Sequence, residues 1–196
     1  MEITKALIID LGGEYFNEGL KKVTSPDGSF INQNSFGIIN KKEYSIKIYC
    51  FDNKGVRASG TFDGSPFKIS LILPFEISQK ISIFPKSFFN VVITPLIFPS
   101  LKKVESKNFS KKFKLNGSRE FKNYFLRHDH LPKMVSIHNI YISSRIEKDF
   151  SILSLRPNES VITKEELKVL YDIMDELGKL IIQNKQVLKA KSITPS

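Results

Sequence analysis

The sequence predicts an α+β fold, and three observations predict it. Short runs of β-branched and aromatic residues, bounded by turn signals, fill the first half after Ser35. After Val104 the pattern becomes strand, helix, strand, strand, helix. A capped amphipathic helix opens at Thr163. A hydrophobic content of 41% with 16 Phe is enough to build a core, which excludes wholesale disorder.

Met1 to Phe16 reads as a helix, because Ile3, Leu7, Leu11 and Tyr15 recur every four residues. Gly12-Gly13 weakens its last turns. Asn17 to Asn34 holds Gly19, Pro26 and Gly28 and reads as a long polar loop with a turn at Ser25-Pro-Asp-Gly28. Strands follow. Tyr44, Ile46, Ile48 and Cys50 alternate with Ser45, Lys47, Tyr49 and Phe51. Val56–Phe62, Phe67–Leu73, Lys80–Phe84 and Phe88–Thr94 are further strands, separated by Gly- and Pro-containing turns, and together they predict an antiparallel meander.

Phe109 to Leu115 reads as a strand that turns at Asn116-Gly117. Ser118 caps a helix predicted to reach Leu131, where Pro132 ends it. Ser136–Ser143 and Ser151–Leu155 predict a hairpin. In the last helix the threonine oxygen of Thr163 can accept from the Glu166 N–H, while the Glu166 carboxylate reaches back. Leu167, Leu170, Tyr171, Met174, Leu177 and Ile181 then form one apolar stripe. One domain over residues 1–188 follows, with possible halves at 1–101 and 102–188 and a flexible tail at 189–196.

Leu11-Gly-Gly13, the run from Gly60 to Leu71, that from Val104 to Leu115, that from Tyr124 to Met134 and the strand pair before the last helix together resemble an uncharacterised bacterial family, a domain of unknown function. The resemblance implies an α+β fold and brings no site residues. Members of that family usually carry transmembrane helices ahead of this region, and such helices are absent from this sequence. The longest uncharged run, Ser87 to Leu101, is broken by Pro95 and Pro99 and is too short to span a bilayer. Cys50 is the single cysteine, which excludes a disulfide framework and fits a cytoplasmic location.

Charge is the strongest functional signal. Between Leu101 and Arg127 nine Lys or Arg stand against two Glu, most of a whole-chain excess of +10. Lys111, Lys112, Lys114, Arg119, Lys122 and Arg127 are the candidate polyanion-binding residues of that segment, able to neutralise phosphates. Phe109, Phe113, Phe121, Tyr124 and Phe125 lie between them at spacings that suit a core. His128, His130 and His138 supply an alternative, three nitrogen ligands for a divalent ion, although Arg127 and Lys133 oppose a cation there. Ala6 to Glu14, read as a strand, is similar to the first phosphate loop of actin-like sugar kinases and ATPases. In that loop Asp10 would hold Mg²⁺ and Gly12-Gly13 would admit phosphate; Glu14 stands where those proteins usually have Thr or Ser.

No catalytic pattern has both its residues and its context: there is no G-x-S-x-G, P-loop or HExxH motif. By elimination the sequence predicts a non-catalytic cytoplasmic binding or accessory module that needs no cofactor. Its first expected partner is a protein; nucleic acid or an anionic membrane surface are the alternatives. A nucleic-acid-binding protein is the second function, and a Mg-dependent phosphotransferase through Asp10 the third. A Pro95–Pro99 wedge flanked by Lys86, Lys102 and Lys103 is a further candidate docking element.

Overall fold

The computed structural model describes residues 2–25, 28–54, 67–86, 109–157 and 163–189. The predicted strands at 56–62 and 88–94, the turn at 60–64, the 95–99 wedge, Lys102, Lys103 and Lys107, and the tail beyond 189 lie outside them.

The chain begins with α1 (Glu2–Asp10), β1 (Glu14–Ser25), β2 (Gly28–Asn40), β3 (Ser45–Lys54), β4 (Phe67–Leu73) and β5 (Ser82–Pro85). It continues through α2 (Phe109–Lys112), β6 (Phe113–Asn116), α3 (Arg119–Arg127), α4 (Leu131–Ile137), β7 (Ile140–Glu147), β8 (Phe150–Pro157), α5 (Lys164–Gln183) and α6 (Lys185–Leu188). The eight strands among the described residues make one antiparallel sheet in the order β1-β2-β3-β4-β8-β7-β5-β6. Strand pairing between β4 and β8 therefore joins the two parts of the sequence in one sheet. This is the α+β class that the sequence predicts.

Alternation sorts the residues of each strand. Ile46, Ile48 and Cys50 of β3, Phe67, Ile69, Leu71 and Leu73 of β4, and Leu153 and Leu155 of β8 point into one core. That core is closed by α5, which buries Leu170, Met174, Leu177 and Ile181 as its spacing predicts. The capping box is complete: Glu166 N donates to Thr163 Oγ1 at 3.1 Å and Thr163 N to Glu166 Oε2 at 3.0 Å. Each Leu, Ile or Met side chain so buried contributes about 1.5–3 kcal/mol of transfer free energy, so α5 is held far more by packing than by helix propensity. On the same side α1 packs on β2. A side chain at Gly37 would place Cβ 2.1 Å from Ile8 Cδ1, so only glycine lets this helix seat.

Four predicted elements are corrected. The first helix stops at Asp10, because Gly12 (φ 69°) takes a left-handed turn and the chain re-enters as a strand at Glu14. The predicted loop from 17 to 34 is a long hairpin, with Ser25 opposite Gly28. The strands reverse between Ser25 and Gly28, where the turn is predicted, while Asn17 and Gly19 serve a bulge: the register slips between Asn17 and Leu20, and Asn17 Oδ1 accepts from Gly19 N at 2.9 Å. Phe109 to Lys112 is one helical turn and only Phe113 onward is strand. A spacing of four puts two rings on one face in either conformation, and Phe109 and Phe113 stack at 5.6 Å. Finally, the helix from Ser118 ends at Arg127, and Pro132 sits in the first turn of a new helix, α4, rather than ending the old one. That displaces the start of the predicted Ser136 strand to Ile140.

Candidate ligand-binding face

The opposite face of the sheet carries the other half of every alternation, and no described helix covers it. Along β3, Lys47, Tyr49 and Phe51 project here while Ile46, Ile48 and Cys50 are buried. Strand register aligns these side chains across the sheet. Phe16 pairs with Phe36, Phe36 with Tyr49, and Tyr49 with Lys68. Lys68 directly precedes Ile69 and Arg156 directly follows its partner Leu155, and Arg156 pairs with Tyr141. A second row runs Lys47, Ser70, Ser154, Ser143, Ser82, Asn116.

The first row has two halves. Toward β1 it is aromatic: Phe16 and Phe36 stack at 5.0 Å, Phe36 and Tyr49 meet at 6.0 Å, and Tyr49 and Phe51 stack at 5.9 Å. The Lys47 ammonium lies 3.7 Å from the Phe36 ring centre and 4.6 Å from that of Tyr49. Toward β7 it is cationic. Lys68, Arg145 and Arg156, with Ser143, Ile152 and Ser154, line a cleft of about 290 Å³. Arg145 pairs with Glu147. Among the described residues Lys68 and Arg156 have no carboxylate partner within 4.0 Å. Burial, then the neighbouring charges of Arg156, Arg145 and Lys47, pushes the Lys68 ammonium below its ordinary value.

The helical layer holds the other polar cluster, and there the contacts are mutual. Tyr44 Oη donates to Asp175 Oδ1 at 2.9 Å, and Lys179 Nζ lies 2.9 Å from Asp175 Oδ2. Burial and the Asp175 carboxylate push the Tyr44 phenol up, and Glu176 and Asp175 push the Lys179 ammonium up. These groups fasten α5 to the loop before β3.

The residues singled out in the sequence are dispersed. Lys114 reaches the bare face, its ammonium 5.7 Å from the Phe84 ring centre. Lys111 is exposed at the end of α2, and Lys112 Nζ donates to Ser136 O at 3.2 Å, tying α2 to α4. Arg119, Lys122 and Arg127 lie on α3, in the helical layer. The histidines bracket α4. His130 and His138 flank opposite ends of this seven-residue helix, on the order of 10 Å apart along its axis. His128 Nδ1 accepts from the backbone N–H groups of His130 and Leu131 at 3.3 and 3.2 Å, so it caps α4. Among the described residues no three His, Cys, Asp or Glu are gathered to hold an ion. Asp10 ends a helix and pairs with Lys164 at 2.7 Å; the strand that a phosphate loop requires is absent at this place. Cys50 is buried in β3.

Sequence inspection missed the cations of the bare face because Lys47, Lys68, Arg145 and Arg156 come from four strands and form no run. One signal was present: the non-core half of the β3 alternation, Lys47-x-Tyr49-x-Phe51, mixes charge with aromatic rings. No family model, curated protein or solved structure matches the chain. No helix among the described residues is long and apolar enough to cross a membrane.

Proposed function

We propose that the chain is a non-catalytic binding module of the cytoplasm, and that its working surface for a polyanionic partner is the face of the sheet that no described helix covers. One observation carries this reading: Lys68 and Arg156 stand side by side in a cleft without carboxylate partners among the described residues. Like charges held together raise the free energy through mutual repulsion and desolvation, and the attraction of a bound anion offsets that cost. Arg119, Lys122 and Arg127 on α3 form the competing surface.

Salt elution from immobilised heparin separates the two. The triple variant Lys47→Glu/Lys68→Glu/Arg156→Glu is expected to elute at much lower salt than the parent chain. Arg119→Glu/Lys122→Glu/Arg127→Glu is expected to elute near the parent position. The reverse pattern assigns binding to the helical layer and refutes the sheet face as the working surface.

A further inference from the structure

Resting on that reading, we propose that the polyanion is a single-stranded nucleic acid, with a backbone phosphate in the cleft between Lys68 and Arg156 and its bases over Phe16, Phe36 and Tyr49. The cleft has the chemistry of a phosphate site. Arg156 offers a guanidinium fork, Lys68 a point charge, and Ser143 and Ser154 hydroxyl donors. Ser154 Oγ already lies 3.3 Å from Ser70 Oγ, which holds it in place on the open side of the sheet.

A phosphate site alone would fit many anions. The adjoining aromatic row narrows the choice, because it continues the same cross-strand line without a break from Phe16 through Tyr49 to Lys68. With strands about 4.8 Å apart, the line from Phe16 to Tyr141 covers roughly 24 Å, room for several unstacked nucleotides. Phe16 stacks one face on Phe36 and is 41% exposed, so a base can extend the stack at its outer end. Lys47 lies over both Phe36 and Tyr49, where it can exchange the rings for a second phosphate.

Duplex nucleic acid fits less well. Its bases hide their faces in the stack, and specific duplex readers insert a helix or ribbon into a groove. This face is a broad sheet from which no described helix projects. An exposed ring at Phe16 and half-buried ones at Phe36 and Tyr49, beside cations, suit bases that are already unstacked. An acidic protein segment or an anionic bilayer would use the cations and leave the rings without a role in discrimination.

The test is fluorescence anisotropy on the full chain with four probes: a short labelled oligouridylate, a duplex of equal length, inorganic polyphosphate, and vesicles of phosphatidylserine with phosphatidylcholine. The single strand is expected to bind tightest. Lys68→Gln/Arg156→Gln should weaken it about tenfold or more and lower the salt slope by roughly 1 for each phosphate no longer neutralised. Phe16→Ala/Phe36→Ser should weaken the single strand by about tenfold while leaving polyphosphate unchanged. Phe16→Ser alone, a change at an exposed ring, gives the same comparison if the double variant does not fold. Equal affinity for duplex or polyphosphate, or aromatic variants with parental single-strand affinity, would overturn the proposal. So would binding to the vesicles alone. In those cases lower heparin affinity of the charge variants would still support the polyanion face, so the two readings fail separately.

Discussion

The two faces of this sheet are built from the same strands, often from adjacent residues, and yet they obey opposite rules. Ile48 is fully buried beneath the helices, while its neighbour Tyr49 stands on the bare side between Phe36 and Lys68. Under the helices the charged cluster is matched, with Tyr44 and Lys179 both on Asp175, while the small hydroxyls of Thr4 and Ser35 and the Tyr171 phenol are buried without a hydrogen-bond partner among the described residues. On the bare side Lys68 and Arg156 line one cleft, and no carboxylate among the described residues lies within 4.0 Å of either. The helical face holds the core, and the bare face is the one we propose for an encounter. Deep burial favours matched charges because an unpaired charge there costs free energy, whereas partial exposure to solvent tolerates a mismatch.

Breaking the covered face should have the largest effect. Met174 is fully buried, so Met174→Asp leaves an uncompensated charge beneath α5 and is expected to cost about 3–5 kcal/mol, measured by urea unfolding. Near-parental stability would show that the stripe of α5 is not core. Next comes the seat of α1. Gly37→Ala forces Ile8 or the helix aside and should cost about 1–3 kcal/mol, with α1 amides losing hydrogen-exchange protection before those of α5. Uniform loss of protection would show instead that α1 unfolds only with the whole domain.

Tyr44→Phe removes the phenol that donates to Asp175, and about 1.5–2 kcal/mol is expected from a buried hydrogen bond to a charged acceptor. Heparin elution should not change, since this hydrogen bond lies on the other side of the sheet. A lowered elution salt at unchanged stability would contradict the division between the faces.

The smallest expected effect has the opposite sign. The ammonium of Lys68 has its pKa lowered in the folded protein, so the unfolded chain holds that proton more tightly. Stability contributed by this group therefore rises with pH between the folded value and the unfolded value near 10.5. Below that window its charge is a burden. Lys68→Met should raise stability by up to about 0.5 kcal/mol at neutral pH and flatten the alkaline rise, while weakening anion binding. A loss of stability with unchanged binding would mean that Lys68 serves the fold.

Local chemistry was the readable part of this chain. Thr163 with Glu166, and Ser118 before α3, announce their helices because a cap needs only residues three apart. The strand of Phe67–Leu73 was legible for a similar reason: its apolar run is short and bounded. What could not be read was set by partners distant in sequence. Asn17 to Asn34 has loop composition, but the ladder to β3 makes a strand of its second half. Pro132 marks a boundary in either case, and only the packing of Leu131 and Val135 into the core decides that a helix begins there.

By itself, then, the sequence determined the α+β class, the last helix and its buried stripe, and a basic excess. Periodicity and capping are properties of a few neighbouring residues, and charge is a simple count. The tertiary structure decided where that charge acts. It scattered the basic run of 111–127, leaving Lys114 with the sheet and Arg119, Lys122 and Arg127 with the helices. Strand register then assembled Lys47, Lys68, Arg145 and Arg156 from four separate strands. Such a cluster has no linear spacing, because residues far apart in the chain become neighbours only when the ladders that join their strands have formed.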